Sequence, residues 1–91
     1  MGIPKKDKIM VLKEIEVTKP EGMNSRNCAA LVQKAMQYKC EIAIEHAARK
    51  ANCKSVMGVI SLGLKCGDTV IMIARGEDEE DAVEDICTMF Q

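Results

Sequence analysis

Between residues 11 and 17, apolar and charged residues alternate roughly, with Val11, Ile15 and Val17 on one side. A period near two predicts a half-buried β-strand, which Pro20 and Gly22 then close with a turn. Asn24 and Ser25 are good helix N-cap residues, and after them Cys28, Leu31, Val32, Ala35 and Met36 recur at helical spacing, predicting a first helix with these residues facing inward. From Cys40 to Glu45, Ile42 and Ile44 share one face and acids the other, which predicts a second strand. His46 to Cys53 is short and mixed, and reads as a brief third strand or as a loop. Ser55 precedes Val56, Met57, Val59 and Ile60, a short apolar helix opened by a capping hydroxyl and closed before Gly63. Gly67-Asp68 signals a turn, and Thr69 to Ala74 is a β-branched run suited to an interior strand that Gly76 ends. From Glu77 onward acids crowd the first turn of a last helix, where they complement its dipole, while Ala82, Val83, Ile86, Met89 and Phe90 face inward.

The predicted order is β-α-β-β-α-β-α, and the fold class is α+β: a four-stranded antiparallel sheet with three helices on one face. Ninety-one residues can fill one hydrophobic interior and not two. Residues 1–9, with Pro4 and three lysines, read as a flexible N-terminal extension, and residues 10–91 as the domain. With one Tyr, one Phe and no Trp, the core must be aliphatic.

Charge narrows the function. A formal net charge of −1 argues against a general nucleic-acid binder, which needs surplus Lys and Arg to displace counterions from phosphates. Seven acids and no base lie between residues 77 and 91, so the body is basic and the C-terminal segment acidic, most simply as a solvated face. The five cysteines are an odd number, and no two have the close spacing of a zinc or redox motif, so reduced thiols without a metal or cofactor are expected. No apolar run reaches membrane-spanning length, and no leader-like segment precedes a cleavage site. A cytoplasmic, non-enzymatic protein is expected.

Three segments carry a resemblance that covers the chain from about Met10 to Gln91. They are Pro20-Glu-Gly-Met-Asn-Ser-Arg-Asn-Cys-Ala-Ala, Lys54-Ser-Val-Met-Gly-Val-Ile-Ser-Leu-Gly-Leu64, and Ala74-Arg-Gly-Glu-Asp-Glu-Glu-Asp-Ala-Val. In that order and spacing they resemble the active-site loop, the regulatory-serine segment and the turn into the last helix of HPr, the phosphocarrier of the bacterial sugar phosphotransferase system. The resemblance implies an open-faced β-sandwich, in agreement with the pattern above. It also implies that the phosphate-accepting histidine is replaced by Asn24 and the proline that follows in the family's motif by Asn27, with Arg26 retained. In lacking the histidine the chain is similar to the Crh type within that family.

Phosphoryl transfer from a phosphoenolpyruvate-charged donor needs a nitrogen nucleophile titrating near neutral pH. The lone pair of a carboxamide nitrogen is delocalised, so Asn24 is neither nucleophile nor base, yet it can cap a helix well. His46, the only histidine, is expected to be structural or solvent-facing. Cys28, near Arg26 in the first turns of the helix, is either an activated thiolate or a small core residue. Ser55 is an ordinary N-cap on its own evidence. The resemblance makes it the regulatory site, where a phosphoserine of charge about −2 meets exposed N–H groups and the positive end of a helix. Val56, Met57 and Ile60 suit a core, but the family exposes the equivalent short helix to partners. With Met23 and Arg26 they would form an apolar patch with a cationic rim.

The partners so implied are HPr kinase/phosphorylase and a LacI-type catabolite control regulator, with neither nucleic acid nor membrane bound directly. The alternatives are a phosphocarrier working through an unexpected nucleophile, or an unphosphorylated HPr mimic that binds enzyme I or regulators.

Overall fold

The structure, a computed structural model, describes residues 10–91, and the expected extension over residues 1–9 lies outside them. Four strands form one antiparallel sheet: β1 (Val11–Glu16), β2 (Glu41–His46), β3 (Arg49–Asn52) and β4 (Thr69–Arg75), in the order β1-β4-β2-β3. The helices are α1 (Ser25–Ala35), α2 (Val56–Ser61) and α3 (Glu79–Ile86), the last running into a 3-10 turn at Cys87–Phe90. They cover one sheet face, giving the predicted α+β open-faced sandwich. The ambiguous segment after His46 resolves as β3, paired Ala43↔Asn52 through His46↔Arg49.

Alternation explains which face is covered. Ile42 and Ile44 of β2 and Val70, Met72 and Ala74 of β4 point inward and are buried, together with Ile15, Val17, Leu31, Val59, Ile86 and Phe90. β4 lies between β1 and β2, as its β-branched composition predicts. One inward assignment needs correcting: Met36 is 63% exposed because it lies past the last helical residue. In α2, where core burial and partner contact were both open, Val59 is buried and Val56, Met57 and Ile60 reach the surface.

Close approaches fix the connections. Gly22 has φ +70°, and a Cβ there would lie 3.0 Å from the Leu64 carbonyl oxygen, so this turn needs glycine. Gly76, at φ +147°, has no room for a side chain, since a Cβ would sit 2.7 Å from Cys40 Cα. Asp78 caps α3 only by its backbone, because its carboxylate accepts from the N–H groups of Lys39 (2.9 Å) and Cys40 (3.0 Å) and pins the entry to β2 against the start of α3. Those bonds hold the Asp78 carboxyl below its ordinary pKa.

Candidate functional site

The two positions singled out by sequence are both helix N-caps. At α1, Asn24 is extended (φ −72°, ψ 179°), and its Oδ1 accepts from the Asn27 N–H at 2.9 Å. The Cys28 N–H donates to the Asn24 carbonyl at 2.9 Å and completes the first turn. Asn27 does more than stand where a proline was expected. Its Nδ2 donates to the Gly22 carbonyl (2.8 Å) and to Glu21 Oε2 (3.1 Å), so one side chain ties the preceding loop to the helix. The Asn27 bond also holds the Glu21 carboxyl below the usual carboxylate range. Arg26 is exposed beside this cap.

Met23 corrects the expected surface patch. It is only 6% exposed, because the Gly22 turn folds it inward and its N–H donates to the Leu64 carbonyl at 3.0 Å. It therefore joins the core rather than the patch around Arg26.

Among the described residues, neither Cys28 nor His46 supplies the missing nucleophile. The Cys28 thiol is fully buried and donates to the Met23 carbonyl at 3.3 Å, and burial pushes its pKa up rather than down. It is the core residue of the two alternatives and not an activated thiolate. Burial also raises the thiols of Cys40 and Cys53, to about 11 and about 12. His46 sits at the far end of β2, with Nδ1 3.0 Å from the Thr69 carbonyl and Nε2 3.6 Å from Asp68. A carbonyl can only accept, so Nδ1 carries the proton, and the ring bridges two strand ends as a structural residue. Among the described residues no group of His, Cys, Asp and Glu could hold a metal ion.

At α2, Ser55 is extended (φ −118°, ψ 113°), and its Oγ accepts from the Gly58 N–H at 3.1 Å. The preceding turn is braced by the Asn52 side chain, which accepts from the Lys54 N–H at 2.9 Å, while the Ser55 N–H donates to the Asn52 carbonyl at 3.0 Å. Gly58 leaves the hydroxyl room: a Cβ there would stand 3.2 Å from Ser55 Oγ. Lys54 is adjacent in sequence, but its ammonium donates to the Tyr38 carbonyl at 2.7 Å and is committed to the end of the α1 connection.

Around that hydroxyl α2 presents Met57 at 75% exposure and Val56 and Ile60 at 37% each. α1 and α2 pack on each other. Sequence reasoning missed Asn27 as an organising donor. The signal was available, since a carboxamide two residues inside a helix start can reach back to the loop carbonyls that a proline cannot.

A family model described as the PTS HPr component phosphorylation site matches residues 11–91. The HPr-like protein Crh of Halalkalibacterium halodurans is 38% identical over 82 residues, covering 90% of this chain and 98% of the relative. Crh of Bacillus subtilis is 37% identical, covering 90% and 96%. Among solved structures, the phosphocarrier protein HPr from Bacillus anthracis superposes with a TM-score of 0.87 at 33% identity, over 90% of this chain and 98% of that one. Among the described residues no helix is long and apolar enough to cross a membrane. Sheet order, site spacing and these likenesses agree: the chain belongs to the HPr family, as a member related to the sugar phosphotransferase system and catabolite repression.

Proposed function

We propose that this chain is a cytoplasmic regulatory member of the family, phosphorylated on Ser55 by HPr kinase/phosphorylase and not a carrier of phosphate on histidine. In that reaction the Ser55 hydroxyl would take the γ-phosphoryl group of ATP, its proton passing to a base of the kinase and ADP leaving. The protein is thus a substrate and a ligand, not an enzyme. The observation that carries the proposal is the contrast between the two caps. Position 24 offers an amide oxygen already used as a cap and no nucleophile, whereas position 55 offers a partly exposed hydroxyl flanked by apolar side chains that reach the surface.

Phosphorylated Ser55 would present a dianion beside Val56, Met57 and Ile60, with Arg26 at the rim. A LacI-type catabolite control regulator is the partner this surface fits, through apolar contact and a charge-assisted bond to the phosphate. Interaction with phosphotransferase or regulatory proteins is what family membership implies at the coarser level.

Incubation with HPr kinase and ATP, followed by mapping of the phosphate, tests the proposal. One phosphoryl group on Ser55 and none on a Ser55→Ala variant is the expected result. An unmodified Ser55 together with binding to enzyme I would favour the HPr mimic instead, and acid-labile or thiol-linked phosphate after treatment with enzyme I and phosphoenolpyruvate would favour an unexpected nucleophile.

A further inference from the structure

The α2 helix is weakly anchored by its own residues. At six residues it makes fewer than two turns, and a helix that short does not hold itself together in water. Val59 is the one residue of the helix that is buried. Where the helix begins, and so where Ser55 stands, is set by the segment that leads into it.

That segment closes on Asn52, whose carbonyl accepts from the Ser55 N–H (3.0 Å) and whose Oδ1 accepts from the Lys54 N–H (2.9 Å). Two longer ties fix the turn to the body. Cys53 is fully buried, and its N–H donates to the Ile42 carbonyl at 2.8 Å. Lys54 is half-buried, and its ammonium donates to the Tyr38 carbonyl at 2.7 Å, across 16 positions of sequence.

Tyr38 is itself held from both sides. Its N–H donates to the Ala35 carbonyl at 3.1 Å, and its hydroxyl donates to the Asp85 carboxylate of α3, which lies 3.6 Å from the Lys34 ammonium of α1. The bond to Asp85 pushes the phenol pKa up to about 12, so the hydroxyl remains a donor at neutral pH. A continuous series of contacts therefore runs from α3 and the end of α1, through Tyr38 and Lys54, to the residue before Ser55. Surface lysines usually keep a mobile ammonium in water. This one directs its charge at a backbone carbonyl, an arrangement that restrains the chain at both ends of the bond.

We propose that Lys54 is a positioning residue for phosphorylation at Ser55, its bond to the Tyr38 carbonyl bracing the turn that presents the hydroxyl. This rests on the reading of Ser55 as the phosphate acceptor and adds how the chain prepares that acceptor. Ser55 Oγ accepts from the Gly58 N–H at 3.1 Å, so its orientation follows from the geometry of the turn. With the brace cut, the turn samples other conformations, and apparent affinity for the kinase falls with the fraction of molecules that remain competent. The rate of transfer from the bound, correctly placed hydroxyl is unaffected. A hydrogen bond from a charged group is worth about a factor of ten in such an equilibrium.

Lys54→Met keeps the apolar stem and removes the donor. In steady-state labelling with HPr kinase and ATP, it should raise KM for the protein about tenfold and leave kcat within about twofold, while Lys54→Arg, which restores a charged donor, should recover most of the loss. Hydrogen exchange on the unphosphorylated protein reads the brace without the kinase. The amides of residues 54, 55 and 58 should exchange about tenfold faster in Lys54→Met, with those of β4 unchanged because the sheet stays folded. Tyr38→Phe leaves the Lys54 charge in place and frees the ring that fixes its acceptor, and should raise KM about threefold. An unchanged KM in Lys54→Met overturns the proposal. So does a raised KM there without faster exchange at these amides, or with Tyr38→Phe indifferent, since either result assigns the loss to direct charge contact between Lys54 and the kinase. A parent protein that takes no label overturns the Ser55 reading and this use of Lys54 with it, whereas a labelled parent with an indifferent Lys54→Met overturns the brace alone.

Discussion

The N-termini of α1 and α2 are built alike and differ in chemistry. In each, an extended residue places a side-chain oxygen on the N–H three residues ahead, at 2.9 Å from Asn24 and 3.1 Å from Ser55. Capping asks only for an acceptor oxygen, so amide and hydroxyl serve equally. Phosphoryl transfer asks for a nucleophile, and there the two part company. An imidazole can be exchanged for an amide at position 24 without loss of the helix, since the cap survives the change that removes the chemistry. Their surroundings diverge as well: the α1 cap is tied down by Asn27 to the loop before it, whereas the α2 cap opens toward Gly58 and a set of exposed apolar side chains.

The largest effect is expected from giving the first cap the chemistry it lacks. Asn24→His combined with Asn27→Pro should accept phosphate from enzyme I and phosphoenolpyruvate as an acid-labile label, where the parent protein accepts none. If the double variant stays unlabelled while folded, the two caps differ by more than a missing ring nitrogen. Next comes Ser55→Ala, which should abolish labelling by HPr kinase and also cost about 1 kcal/mol of stability through loss of the cap, read by denaturant unfolding. Ser55→Asp should keep most of that stability and still take no label.

What the sequence disclosed and withheld follows from the same physics. Alternation in β2 and the helical spacing of α1 located the core faces, because burial on one side leaves a periodic trace. Ser55 and Asn24 were legible as caps because capping depends on residue type at a boundary. The β2–β3 hairpin was not legible: it turns at Ala47 and Ala48, both at positive φ (51° and 68°), and alanine gives no turn signal. Met23 was misplaced on the surface because its burial depends on Gly22 docking against Leu64, a contact 42 residues away in sequence. The open face was missed for a related reason. A β-branched run such as Thr69 to Ala74 suits a strand buried on both sides, and only the sheet shows that Ile71 and Ile73 lie on the side the helices leave bare.

A smaller effect separates the two functions of the α1 region. Asn24→Ala should destabilise by about 1 kcal/mol and Asn24→Ser or Asn24→Asp by much less, since these keep an acceptor for the Asn27 N–H. None of the three should alter labelling of Ser55 under conditions where the protein remains folded. A fall in Ser55 labelling in the folded Asn24→Ala variant would mean that the two caps communicate and are not independent sites.

The smallest expected effect lies in the loop before α1 and concerns Asn27. Its side chain donates to Glu21 and holds that carboxyl below its ordinary value of 4.5. A depressed carboxyl stabilises the fold above its unfolded pKa, and the contribution is lost as pH falls through the folded value. The bond should therefore be intact at neutral pH and weaken only below about 4.5. Titration of the Glu21 carboxyl by NMR should show its midpoint rising toward the ordinary value in Asn27→Ala, with the Ser55 region unmoved over the same range. Because Glu21 is exposed, little overall stability should change, and the observable is the midpoint itself. An unshifted midpoint would mean that Asn27 holds the loop only through the Gly22 carbonyl, leaving the α1 cap less tied to its loop than the bond to Glu21 implies.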